Sequence, residues 1–155
     1  MAMRDFKWRA RRLWNIGTFE IRGLIIQKKG ATPLQLSHNH YRAEWRARLN
    51  GSEATARLNV NKANRLLEKL TELQVSTWLG PVNDDAEFAL IKPDLAYSVI
   101  LEEMDEEGKS IGLKTIALKL SKINEQFYYG KLSNDPSYFI LNRNDVEGLK
   151  VKLME

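Results

Sequence analysis

A thirteen-residue pattern occurs twice in this chain. Leu58-Asn59-Val60-Asn61-Lys62-Ala63-Asn64-Arg65-Leu66-Leu67-Glu68-Lys69-Leu70 returns, 83 residues later, as Leu141-Asn142-Arg143-Asn144-Asp145-Val146-Glu147-Gly148-Leu149-Lys150-Val151-Lys152-Leu153. Both copies read L-N-x-N-x-(apolar)-x-x-L-x-x-K-L, and each follows a stretch rich in β-formers. An asparagine ahead of leucines at helical spacing is a helix start, because its side chain can accept a bond from a free N–H of the first turn. The echo predicts an α+β fold of duplicated antiparallel β-meander plus helix units. The units would span about 19–80 and 94–155, within one domain (16–155) that follows an N-terminal arm (1–15).

The local signals fill in this outline. Residues 4–14 carry a weak helical stripe at Phe6, Ala10 and Leu13. Phe19 to Gln27, Leu34 to Ser37 and Glu44 to Leu49 read as strands, the last with Trp45, Ala47 and Leu49 on one face. Asn50-Gly51 is a turn signal. Ala63, Leu66, Leu67, Leu70 and Leu73 form one apolar stripe on the first helix, with Arg65, Glu68, Lys69 and Glu72 turned outward. Gly80-Pro81 ends the first half, and residues 82–93 connect to the second with room for one helical turn. Leu95 to Glu103, Ile111 to Leu120, Gln126 to Leu132 and Ser137 to Leu141 are the remaining strands. Asn142 or Asn144 starts the last helix, with the stripe Val146, Leu149 and Leu153. The 83-residue offset also matches Trp45 to Tyr128.

Charge separates the arm from the body. The net charge is +4, and residues 1–12 account for it with Arg4, Lys7, Arg9, Arg11 and Arg12 against Asp5; the rest is balanced. A basic arm on a neutral body is a weaker nucleic-acid signature than a basic face. Cysteine is absent, so no disulfide framework or thiolate metal site is encoded, and the compartment stays open. The longest apolar run, Leu95 to Leu101, is far short of the roughly 20 residues a membrane-spanning helix needs. The basic start has no apolar stretch behind it, so no signal peptide is read. The chain reads as a soluble protein or a soluble piece of a longer one.

Three groups of residues invite a chemical reading. His38 and His40, two apart on a strand, would share a side and could approach one metal with Glu44 as a third ligand, but no further His or Cys completes a usual set, and two polar residues in a turn is the stronger reading. Glu102-Glu103-Met104-Asp105-Glu106-Glu107-Gly108 gathers carboxylates, yet its spacing is not that of an EF-hand loop, and a solvated hairpin fits better. The arm interleaves cations with aromatics, a mixture that can contact a protein partner, a membrane surface or nucleic-acid phosphates and bases. Its residues Trp8, Arg11, Arg12 and Trp14 are the candidate contacts. A simpler reading has Leu13 and Trp14 packed on the domain edge with the arginines in water. Nucleophile-elbow, zinc-protease, dinucleotide and P-loop motifs are all missing, so no catalytic residue, cofactor, metal or small-molecule substrate is assigned.

The chain resembles the bacterial domain of unknown function 4340 family. The resemblance runs over nearly its whole length, through Arg11-Arg12-Leu13-Trp14, the strand Phe19 to Ile26, Trp45, the helix Asn64 to Leu73, Phe88-Ala89-Leu90 with Pro93, Phe127-Tyr128-Tyr129 and Tyr138-Phe139-Ile140-Leu141. It implies an extracytoplasmic domain of a membrane-anchored envelope protein, beside an ABC-type export or gliding-like system, with a protein component of that system as partner. The expected function is therefore a non-catalytic interaction or structural domain. Two alternatives stand beside it: a nucleic-acid-binding module using the arm, and a hydrolase whose carboxylates converge in space.

Overall fold

The computed structural model of the protein describes residues 10–154. After an extended segment and a 3-10 turn at Thr18–Glu20, the chain forms β1 (Ile21–Lys28), β2 (Leu34–Asn39), β3 (Glu44–Leu49) and a short β4 (Ser52–Glu53). A second 3-10 turn, Thr55–Arg57, leads to helix α1 (Val60–Thr71), then β5 (Thr77–Gly80) and the short helix α2 (Asp84–Ala89). The chain finishes with β6 (Leu95–Met104), β7 (Ser110–Lys122), β8 (Phe127–Leu132), β9 (Tyr138–Asn142) and helix α3 (Arg143–Leu149). All nine strands join one sheet in the order β4-β3-β2-β1-β6-β7-β8-β9-β5, and every pairing is antiparallel.

This architecture corrects the expectation of an α+β fold built from duplicated meander-plus-helix units. Among the described residues the fold is β-rich, one continuous sheet with three short helices. β1 pairs with β6 in the middle of the sheet, so no boundary separates 19–80 from 94–155. β5 comes from the first half and pairs with β9 of the second. The physical reason is the cost of open edges: each half alone would expose unpaired N–H and C=O groups along β1 and β6, and joining them satisfies both. The echoed segments also differ. α1 has 12 residues and α3 has 7. The Asn59 side chain accepts the Lys62 N–H at 3.1 Å, whereas Asn142 makes no capping bond.

Strand alternation explains the two faces. Leu49, Leu34, Ile26, Tyr97, Leu118 and Leu132 pair in series across β3, β2, β1, β6, β7 and β8, so one apolar row crosses six strands. Antiparallel partners project to the same side, and that side carries α1 and α3. α1 lays Ala63, Leu66, Leu67 and Leu70 on it, and α3 adds Val146 and Leu149 to the same core cluster. The stripe read in the sequence is the buried face of α1 from Ala63 to Leu70, while Leu73 is buried just beyond the end of the helix. Polar anchors hold the layers in register: Trp45 donates to Asn64 Oδ1 at 2.8 Å, and Lys150 Nζ to the Tyr128 hydroxyl at 2.7 Å. Asn50 and Gly51 both take positive φ, 51° and 79°, the conformation of a tight two-residue hairpin turn between β3 and β4.

The other face is covered at one end by α2. Asn83 caps this helix, Ala86 and Leu90 are buried beneath it, and Ser121 of β7 donates to the Ala89 carbonyl at 2.7 Å. None of the described helices is long and apolar enough to cross a membrane.

The chain start needs a second correction. Of the helix expected over 4–14, residues 4–9 lie outside the described residues, and 10–14 are not helical. Arg12 bridges Gln74, and the Leu13 N–H donates to the Leu73 carbonyl at 3.0 Å. Leu13, Trp14 and Ile16 all enter the core. The boundary of the expected arm at residue 15 thus cuts through a segment stitched to the domain.

Candidate interaction site

The four candidate contacts separate. Trp8 lies outside the described residues. Arg11 and Arg12 are exposed. Trp14 is 9% exposed, and its indole N–H donates to the Leu70 carbonyl at 2.6 Å. It is therefore a core residue, not a surface contact. The reason is local: α1 ends at Thr71, Leu70 has a free carbonyl in the last turn, and a buried indole meets it.

The two histidines do not form a ligand set with Glu44. His38 pairs with Trp45 across β2 and β3, their rings 4.5 Å apart on the helix-bearing face. Glu44 is the neighbour of Trp45 in β3 and points to the opposite face. His40 lies beyond the end of β2, its ring 6.4 Å from that of His38. No group of three His, Asp or Glu side chains suited to a metal occurs among the described residues. Burial holds His38 below its ordinary pKa, and nearby His40 and Arg22 push the same way against a backbone hydrogen bond at Ile21. Its Nδ1 is buried without a hydrogen-bond partner.

The acidic run forms the β6–β7 hairpin turn. Glu102 pairs with Arg22, and Glu103 with Lys114 at 3.8 Å. Asp105 Oδ1 accepts the N–H groups of Glu107 and Lys109 at 2.9 and 2.8 Å, which closes the turn. The carboxylates of Glu102, Glu103 and Asp105 thus serve cross-strand pairs and turn geometry.

That hairpin creates the feature the sequence reading missed. β7 has 13 residues and β8 only 6. β8 pairs with Leu118 to Lys122. Ser133 then makes the last contacts, its N–H donating to the Ala117 carbonyl and its Oγ accepting the Ala117 N–H, each at 2.9 Å. From Ile116 back to Ser110, that side of β7 meets no strand among the described residues. Backbone direction alternates along a strand, so the N–H and C=O groups of Thr115 and Leu113 face the same open side as those of Ala117. Leu113 is 65% exposed and Ile111 62%. Ile111 is the extra residue of a bulge, since Gly112 pairs with Glu103 and Ser110 with Met104. The signal that could have revealed this edge was the excess length of the Ile111–Leu120 strand over Gln126–Leu132.

The edge offers backbone donors and acceptors beside two aliphatic side chains. That is the chemistry of holding an extended chain. Comparison with protein-family models, with curated proteins and with solved structures finds no match for this chain.

Proposed function

We propose that this domain is a non-catalytic interaction module that adds an extended segment of a protein partner to the open edge of β7. One observation carries the reading: among the described residues Ser110 to Ile116 form a stretch of strand that meets a partner on the β6 side alone, with Ile111 and Leu113 exposed beside it. Main-chain bonds supply affinity in this mode of recognition, and alternate side chains supply selectivity. The ladder with β6 keeps the edge extended before a partner arrives, which lowers the ordering cost of binding. An envelope setting, with a component of an export or gliding-like system as partner, is supported by the family resemblance alone.

A displayed library of random peptides, panned on the whole chain and on Thr115→Pro, tests the reading. The proline removes an outward N–H while leaving the β6 ladder in place. The expected result is a set of peptides with alternating apolar residues that bind the unaltered chain, slow amide exchange at Leu113 and Thr115, and fail on Thr115→Pro. Peptides that bind both proteins equally, or the absence of any enriched peptide, would overturn it.

A further inference from the structure

The C-terminal segment closes one end of the core imperfectly. Beyond α3 the chain turns back, the Leu153 carbonyl accepts the Asn59 N–H at 2.7 Å, and Met154 bridges Leu58. Between this tail and the ends of β1, β2 and β3 lies a cleft of about 280 Å³, walled chiefly by Ile26, Leu34, Leu49 and Leu153. It sits at the Leu95 end of β6, whereas the open edge of β7 begins beside the Met104 end.

The charged side chains among its described lining residues are of one sign. Lys28 and Lys152 both line the cleft, and no acidic side chain among the described residues does. Lys28 occupies an unusual place. It follows Leu24 and Ile26 on the helix-bearing face of β1, where alternation otherwise delivers apolar residues to the core. Neither lysine has an ion-pair partner among the described residues. A lysine stem lies well along an apolar wall while its ammonium stays at the rim.

An apolar trough favours an occupant that is apolar along its length, and two lysines in its lining favour an anionic end. The volume lies just under the lower end of the roughly 300–1,000 Å³ range typical of small-molecule sites, which suits one alkyl chain rather than a two-chain lipid. We infer that this cleft binds a single-chain aliphatic carboxylate, with the chain against Ile26, Leu34, Leu49 and Leu153 and the carboxylate between Lys28 and Lys152.

Titration of the whole chain with decanoate, decanol and decylammonium, each below its aggregation limit, tests the assignment. Binding is followed by calorimetry and by the methyl resonances of Ile26, Leu34 and Leu49. Decanoate should bind best, decanol more weakly and decylammonium weakest. Lys28→Met should weaken decanoate about fivefold and leave decanol unchanged. Thr32→Trp, at an exposed lining position on the β1–β2 turn, should block both without unfolding the protein. Equal binding of decylammonium and decanoate, decanoate binding that survives Thr32→Trp, or no shift at these methyl groups would each overturn the inference.

Discussion

The Tyr97 hydroxyl donates to the Leu149 carbonyl at 3.0 Å in the interior of the protein, joining the central strand β6 to the last residue of α3. Tyr97 is fully buried, and burial raises its pKa far above the ordinary phenol value. The bond satisfies a carbonyl that the end of a helix leaves without an intrahelical partner. Tyr97→Phe keeps the ring and strands that carbonyl. It should cost about 1–3 kcal/mol in urea unfolding with an unchanged m-value. A loss below about 0.5 kcal/mol would mean that another donor reaches Leu149.

Gly130 and Phe139 form a cross-strand pair between β8 and β9. A Cβ built on Gly130 would lie 2.2 Å from Phe139 Cε2, so the glycine is there to admit the ring. Gly130→Ala should destabilise by about 1–3 kcal/mol through overpacking. Gly130→Ala combined with Phe139→Leu should recover part of that loss. Equal losses in the single and double variants would place the strain elsewhere.

His38 gives the fold a pH dependence of definite sign. Its folded pKa lies below the ordinary 6.5, so the unfolded chain binds more protons than the native one as pH falls through that range. The contribution is intact above 6.5 and is lost progressively below it. Chemical denaturation across the pH unit below 6.5 should show falling stability, and His38→Phe should flatten that slope. An equally steep slope in the variant would assign it to another group.

The sequence revealed some of this and concealed the rest for physical reasons. The α1 stripe from Ala63 to Leu70 was legible because helical period and burial coincide within a dozen residues. The Asn50-Gly51 turn was legible because few residue pairs accept positive φ. The pairing of β1 with β6, and of β5 with β9, was not. Alternation shows that a strand has a buried face, but it does not name the strand beside it. The repeated L-N-x-N pattern misled for the same reason: similar helix starts arise wherever a strand hands over to a helix, and they do not require matching units around them. Trp14 was ambiguous because an aromatic beside arginines gives the same pattern whether it faces water or the core. With its indole bound to Leu70, Trp14→Ala should cost about 3–5 kcal/mol, measurable by thermal unfolding. Arg11→Ala, at an exposed position, should change stability by less than about 0.5 kcal/mol.

A proline pair distinguishes the two sides of β7. The Ile116 N–H faces β6, since Ile116 pairs with Val99 and its neighbour Ala117 turns its N–H toward Ser133. The Thr115 N–H faces the open side. Proline at a ladder position removes a bond and leaves the β6 carbonyl without its donor, while proline at an edge position removes nothing that was paired. Ile116→Pro should therefore cost roughly 2–3 kcal/mol or more, and Thr115→Pro no more than about 1 kcal/mol. Thermal melts and amide exchange of the two variants measure the difference. Equal losses would show that the Thr115 N–H is itself paired, and the open edge on which strand addition depends would not exist.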